Sequence, residues 1–525
     1  MFNSASETRA AGRPYARAAG LAALALLLAG ALPLIWAAAL RLQFLLRYPY
    51  PHDGLEGTLL HEARLLYAGQ PLYQPLERLR FVSAPYPPLH FLLLGLADAH
   101  IAGPHVFWAG RLVSLAAALA VALLIVLTCR RAGGMWLGSI AGLALFASAP
   151  PLLLWATRIK PDLLALLCTA LGLCMATAAS GRPDTAAREW PLRLERLSPL
   201  ALPLAALCFA LAFFAKQTTV AAPLATGLAL AFDDLRDWRA GAGPAMFVGR
   251  LPLRRRTLLF GLCYLALVLG AWVTLDLITS FQFTAHIWGL HRSEWWSVAL
   301  WRKFVALLLP YTPGVVLAAG VLLALAPRDR RVLVPACYAL LAPITLLGAG
   351  ETGANHNHLL ESLLAISLAV GICAGRLPEW SERRPLAALL ALALLIAQLG
   401  LAYRPQDWYI NELAPPQTPQ RYLDFMRNTP GEILADDVGL MMAAGRPLRY
   451  DDPSTMGPAA QSGVWDESGL MQEIAERRFS AIMLPVDLGH DRIDPSGRWT
   501  PEMLDAIRQH YKLAFRDTIF TYVPK

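Results

Sequence analysis

Charge is scarce in this chain of 525 residues: Asp, Glu, Lys and Arg make up 16% of it, where ordinary globular domains carry about a quarter. With 56% hydrophobic residues, that shortage excludes a simple soluble protein as well as a disordered or fibrous one. Lysine is scarcer still. Only five occur, at 160, 216, 303, 512 and 525, so the net charge of +8 rests on arginines scattered over short loops. A nucleic-acid surface would gather its cations into one patch or stripe, and none is found. The seven cysteines lie in or beside apolar segments and none follows Cys373. That excludes a disulfide framework and a cysteine zinc site. No internal repeat and no inverted duplication of the transporter kind is visible.

What is abundant is long apolar runs. A spanning helix needs about 20 mostly apolar residues. Eleven segments are candidates: 17–40, 106–129, 134–155, 161–180, 198–215, 217–232, 256–279, 299–326, 331–349, 358–375 and 385–403. The run 217–232 is short and carries Pro223, and Pro310 and Pro313 interrupt another, so either is a candidate for a broken or re-entrant segment. The first run is too long for a signal-peptide core and reads as a retained helix.

Arginines fill every second loop, from Arg9, Arg13 and Arg17 through Arg130–Arg131, Arg182–Arg196, Arg236–Arg256 and Arg328–Arg331 to Arg376–Arg384. The positive-inside rule then places the N-terminus in the cytoplasm and the tail outside. Outside also lie a long first loop, 41–104, the turns near 156–160 and 216, the loop 280–298 and the turn 350–357. The reading divides the chain into a membrane part, 1–403, and a tail, 404–525. The tail is more acidic and turn-punctuated, with Pro405, Pro415, Pro416 and Pro419 marking a linker. Helices are expected at 418–428, 466–478 and 500–511, and strands at 431–436, 480–486 and 514–523. The fold class is a polytopic α-helical membrane protein with a small extracytoplasmic α/β domain.

The first outer loop contains His52-Asp53-Gly54-Leu55-Glu56-Gly57, and later Pro85-Tyr86-Pro87-Pro88-Leu89-His90. Asp53 and Glu56 are three apart, so one helical turn puts both on one side. A carboxylate held just above a bilayer suits a general base acting on a lipid-linked substrate. A plain helix cap explains the same residues.

Taken in order, these parts resemble the GT-C superfamily of integral-membrane glycosyltransferases. They are similar to the bacterial branch of protein O-mannosyltransferases, lipid A aminoarabinose transferases and lipopolysaccharide galacturonosyltransferases. The resemblance is carried by Asp53, Glu56, Gly57 and Ala63-Arg64, by Tyr86-Pro87-Pro88-Leu89, and by Arg158 with Lys160-Pro161-Asp162. Lys216-Gln217-Thr218 and Asn357-His358-Leu359-Leu360-Glu361 extend it, and it spans 17–403. It implies about 11 transmembrane helices and an inverting transfer of a sugar from a polyprenyl-phosphate donor. The acceptor would be a lipid, glycan or protein on the outer face of a bacterial cytoplasmic membrane. A first-loop carboxylate would deprotonate the acceptor hydroxyl. Two departures stand out: Leu55-Glu56-Gly57 replaces an adjacent Asp-Glu before the Gly, and Tyr86 stands where a lysine precedes Pro-Pro. Either Asp53 or Glu56 can be the base, and Asp53 is favoured.

The donor phosphate must then find other cations. Arg158, Lys160 and Lys216 lie on the outer side against the charge bias, which fits phosphate binding. Snorkelling to head groups is the alternative, and Lys160 has Asp162 beside it as a partner. Tyr86, Gln217, Asn357 and His358 complete the expected donor site. Glu351, His356 and His52 are weak candidates for a metal, and a divalent cation is the only cofactor left open. His286, His291, Glu294, Trp295 and Trp296 suit either a sugar site or an aromatic belt. A transporter or flippase is the rival reading, and a non-catalytic assembly partner a third. Ionisable groups in a transporter should sit at helix midplanes, whereas here they gather in outer loops.

Overall fold

The computed structural model describes residues 4–180, 200–241, 246–248, 251–290, 296–351, 353–404, 417–491 and 493–525. The arginine-rich loop 181–199, His291, Glu294, Trp295 and the linker prolines 405, 415 and 416 lie outside those residues. Ten helices lead the order: α1 (Ser4–Arg47), α2 (Leu55–Tyr67), α3 (Pro88–His100), α4 (Trp108–Arg131), α5 (Trp136–Ser148), α6 (Pro150–Trp155), α7 (Asp162–Ser180), α8 (Ala201–Ala215), α9 (Ala221–Arg239) and α10 (Arg255–Ile278). A short hairpin, β1 (Met246–Val248) and β2 (Leu251–Leu253), joins the last two.

Each of the eleven apolar runs holds helix. Among the described residues eight helical stretches are long and apolar enough to cross a membrane, and α5 and α8 are shorter apolar helices. The run 134–155 is not one helix. Ala149 is extended and Pro150 opens α6, because the residue before a proline avoids the helical region. The candidate break at 217–232 does not occur inside the helix, since Pro223 falls in the first turn of α9, where no backbone donor is needed. Pro310 does interrupt its run: helix 298–306 gives way to a short 3-10 turn before helix 312–320. Gln398 mends the gap, donating to the Pro310 carbonyl at 3.1 Å and accepting from Gly314 N at 2.9 Å.

The stretch His356–Arg383 is the axis of the bundle, with 94% of its apolar window buried. Glycines let α5 approach it closely. A Cβ on Gly138 would stand 2.2 Å from Gly375, and one on Gly142 would stand 2.3 Å from the Ser367 carbonyl. Helix association without a hydrophobic drive depends on such close contact.

The expected first loop is more structured than its sequence suggested. Helix α1 runs on to Arg47, and α2 and α3 occupy much of the remainder. The C-terminal unit is a four-stranded mixed sheet, β3 (Glu432–Ala435), β4 (Phe479–Leu484), β5 (Tyr511–Phe515) and β6 (Phe520–Pro524), in the order β3-β4-β6-β5. Helices 417–428, 468–475 and 501–510 flank it as expected, with two unforeseen ones at Val438–Ala443 and Pro453–Gln461. The expected strand 514–523 is a hairpin, because the polar Arg516-Asp517-Thr518 turns the chain back.

This unit sits on the loop that carries α2. Phe81 N donates to the Arg449 carbonyl at 2.8 Å, Asp451 N returns to the Phe81 carbonyl at 3.1 Å, and the Phe81 ring lies 4.9 Å from Trp465. Gly57 touches the backbone of Val438 and Gly439 so closely that a Cβ would stand at 2.5 Å.

Candidate active site

Asp53 lies in the turn that opens α2. Its Oδ1 accepts from Glu56 N at 3.2 Å, so the cap predicted for this residue is real. The same carboxylate meets two cations from the turn between α6 and α7, Lys160 Nζ at 3.2 Å and Arg158 Nη1 at 3.3 Å. Burial opposes ionisation of Asp53, but Lys160 and then Arg158 outweigh it and hold its carboxyl below the ordinary value. Its side chain keeps 29% of its surface exposed while those of Arg158 and Lys160 keep 9% and 7%. Asp53 is the open member of the group.

Glu56 is the opposite. It is fully buried, and every lone-pair direction is used. Oε1 accepts from Arg111 Nε and from Ile159 N, both at 3.1 Å. Oε2 accepts from Arg111 Nη2 and from His52 N, both at 2.7 Å. Burial is outweighed by the Arg111 charge and hydrogen bonds, which keep Glu56 ionised. Arg111 also donates to the Tyr48 and Tyr50 carbonyls. Sequence reasoning missed Arg111. The signal was there, because it is an arginine at the same end of the bundle that singled out Arg158.

The pairing of the other cations differs from expectation. Lys160 reaches Asp53 rather than Asp162, and Asp162 takes Lys216 instead. Asp162 also accepts from Trp155 Nε1 at 3.1 Å and from the Asn357 side chain. The reason is local. Pro161 ends the turn and Asp162 begins α7, which aims its carboxylate at the end of α8 where Lys216 sits. The ring of Trp155 lies under Arg158, 5.3 Å from its guanidinium carbon. Two carboxylates thus face three cations in one cluster, leaving a positive balance for an anion.

Gln217 spends its amide on the Pro85 carbonyl at 3.2 Å, and Tyr73 holds the Tyr86 carbonyl at 2.7 Å. These two brace the turn before α3 rather than presenting donors outward. His358 Nδ1 contacts the Thr345 carbonyl at 3.2 Å, and His356 packs its ring on Phe304. His286 is buried between the Ser83 and Gln74 carbonyls, each at 2.7 Å, away from any sugar-lining role. The metal candidates are not brought together: His52 contacts the Leu45 carbonyl while Glu351 lies in a bridge with Trp296. Among the described residues no group of three or more His, Cys, Asp or Glu could hold a metal ion.

No family model matches the sequence, and no curated protein matches it. Solved structures do. ArnT from Cupriavidus metallidurans bound to undecaprenyl phosphate superposes with a TM-score of 0.58 at 13% identity, over 94% of this chain and 97% of that one. An Archaeoglobus fulgidus oligosaccharyltransferase, tethered to an acceptor peptide containing the NVT sequon, gives 0.53 at 11% identity, over 94% and 74%. The oligosaccharyltransferase AglB of the same archaeon, in complex with an inhibitory peptide and a dolichol-phosphate, gives 0.52 at 12%. At such identities the likeness is one of fold. The chain shares the fold of these structures, a bundle of long apolar helices with a small sheet-bearing C-terminal unit.

Proposed function

We propose that this protein is an inverting glycosyltransferase that moves a hexosyl or pentosyl group from a polyprenyl-phosphate donor to a cell-envelope acceptor. The acceptor hydroxyl belongs to a lipid, polysaccharide or protein, and the reaction runs on the outer face of a bacterial cytoplasmic membrane. The N-terminus lies in the cytoplasm, and residues 404–525 form the extracytoplasmic domain. The observation that carries the reading is Asp53, a part-exposed carboxylate held by two buried cations in a GT-C fold. Solved neighbours with bound undecaprenyl phosphate and dolichol-phosphate support the donor class.

In the resting site Lys160 and Arg158 weaken Asp53 as a base. A donor phosphate competes for the same N–H groups, and as it takes them Asp53 regains basicity. The acceptor O–H then gives its proton to Asp53 while its oxygen bonds to the anomeric carbon. The bond from that carbon to the phosphate oxygen breaks, and its electron pair leaves on polyprenyl phosphate. Arg158 and Lys160 stabilise the charge that develops there, with Lys216 available if it parts from Asp162. Tyr86, Gln217, Asn357 and His358 frame this donor site.

The test compares wild type with Asp53→Asn in lipid nanodiscs, using a panel of polyprenyl-phosphate sugars with membrane extract. Released polyprenyl phosphate is quantified. The variant should lose about 10²- to 10⁴-fold in rate. Undiminished release would remove Asp53 as the base. Donor binding by wild type with no turnover under any acceptor would favour transport instead.

A further inference from the structure

We infer that Glu56 is a positioning residue: its carboxylate straps the backbone bearing Asp53 to the backbone bearing Arg158 and Lys160. This rests on Asp53 being the base and explains what sets the base among its cations.

The two sides of the site come from chain segments about a hundred residues apart. One is the turn 50–54 before α2, and the other is the turn 156–161 before α7. Nothing local fixes their spacing. Glu56 bridges them with one carboxylate: Oε2 takes His52 N, the residue next to Asp53, and Oε1 takes Ile159 N, which lies between Arg158 and Lys160. Both bonds are made to backbone, so they fix the chain while leaving the side chains of Asp53, Arg158 and Lys160 free to exchange partners. Arg111 completes the strap, gripping both oxygens with Nε and Nη2 and tying down the Tyr48 and Tyr50 carbonyls behind them. Ser114 on the same helix holds the other side of the turn, its hydroxyl donating to the Arg158 carbonyl at 2.6 Å.

The saturation of Glu56 argues against direct chemistry. With both oxygens already engaged by four donors and no exposed surface, it has no lone pair to offer an acceptor hydroxyl. Its ion pair with Arg111 is buried, and a buried pair of this kind is better evidence for a fixed geometry than for net stability.

Glu56→Asp keeps the charge and shortens the reach, so it separates position from electrostatics. In nanodisc-reconstituted protein, on the folded fraction isolated by size exclusion, kcat should fall about 10²-fold with the donor KM little changed. The acid limb of kcat/KM should move to higher pH, because cations that drift from Asp53 no longer hold its acidity up. A purely structural role would cut the folded yield and leave the limb in place. Folded Glu56→Asp with wild-type kcat and limb overturns the inference. If that variant does not fold, Glu56→Gln, which keeps the length and only one of the two backbone bonds, decides: kcat within about threefold of wild type overturns it, and a larger fall in kcat at unchanged donor KM supports it. Asp53→Asn run in parallel separates the two claims. Turnover retained there overturns the base reading itself, whereas a dead Asp53→Asn beside an unaffected Glu56→Asp overturns only the strap.

Discussion

At the start of α2, Asp53 and Glu56 sit among arginines and lysine, and both carboxyls are held below their ordinary values. Nearly two turns further along the same helix, Glu62 sits with Asp451 and Asp452 of the C-terminal unit. There Glu62 Oε1 accepts from Ser83 Oγ at 2.9 Å and from Ala84 N at 2.6 Å, and Asp451 Oδ1 accepts from Ser83 N at 3.2 Å. The second oxygens, Glu62 Oε2 and Asp451 Oδ2, have no hydrogen-bond partner among the described residues. Burial, with Asp452 adding to it, pushes Glu62 up to about 8, and burial with Glu62 pushes Asp451 well above its ordinary value. Tyr73 faces the same cluster, and Arg80 is the cation that opposes it. One short helix thus carries an ionised end and a protonated middle. Groups driven apart in this way suit separate tasks: charge in the cluster proposed to meet a phosphate, and neutral hydrogen bonding where two parts of the chain meet.

The ionised end depends most on Arg111. Arg111→Ala leaves the buried Glu56 carboxylate without a counter-charge, at a cost of about 3–5 kcal/mol. The expected result is loss of the folded pool on size exclusion in detergent. Full recovery of folded protein would mean that the ionised end needs no arginine. Next come the cations that face Asp53. Arg158→Ala or Lys160→Ala should each weaken donor binding by about 1.5–3 kcal/mol, the worth of a charge-assisted hydrogen bond. Donor titration by intrinsic tryptophan fluorescence measures this, since Trp155 lies under Arg158. Unchanged affinity in both variants would move the phosphate elsewhere.

How much of this could be read in advance follows from sequence distance. Apolar runs, a linker and alternating arginine loops are local signals, so the helices and the C-terminal sheet were legible. So was the turn with Asp53, because its residues adjoin, and Arg158 and Lys160 stood out because the alternation of arginine-rich loops expects few cations in that turn. What joins them was not. Glu56 meets Arg111 55 residues on and Ile159 103 residues on, and the Thr58 hydroxyl reaches the Asp451 carbonyl across 393 residues. Such pairings leave no periodicity. Glu62 lies within α2, and only the docking of the distant unit shows that its field contains acids.

Gly57 lies between the two ends and can be used to separate them. A Cβ there would press on the Val438–Gly439 backbone at 2.5 Å, and overpacking of this kind costs about 1–3 kcal/mol. Gly57→Ala should lift the C-terminal unit off α2, loosening Asp451 from Glu62 while Asp53 keeps its cations. Hydrogen exchange should rise at 438–443 and 449–452 and stay low at 158–160. Equal rises at both places would show that the two ends are mechanically one.

The gentlest change is Glu62→Gln, which imitates the protonated carboxyl. A group whose folded value lies above its unfolded one binds more protons when folded. Its stabilising contribution is fully present below the unfolded glutamate value and is lost as pH rises through the folded one. For Glu62 the window runs from the ordinary 4.5 to about 8. Wild-type stability should therefore decline across that interval, with a slope of up to about 1.4 kcal/mol per pH unit for each retained proton. Thermal unfolding in nanodiscs from pH 4 to 9 would show it. Glu62→Gln has no such proton to lose, and it also relieves Asp451 of a neighbouring charge. Its melting profile should match that of wild type at the acid end, fall less steeply across the window, where buried Asp451 still holds a proton, and lie above it beyond pH 8. Parallel profiles for the two proteins would mean that Glu62 is ionised in the fold. The contrast between the two ends of α2 would then be one of exposure alone.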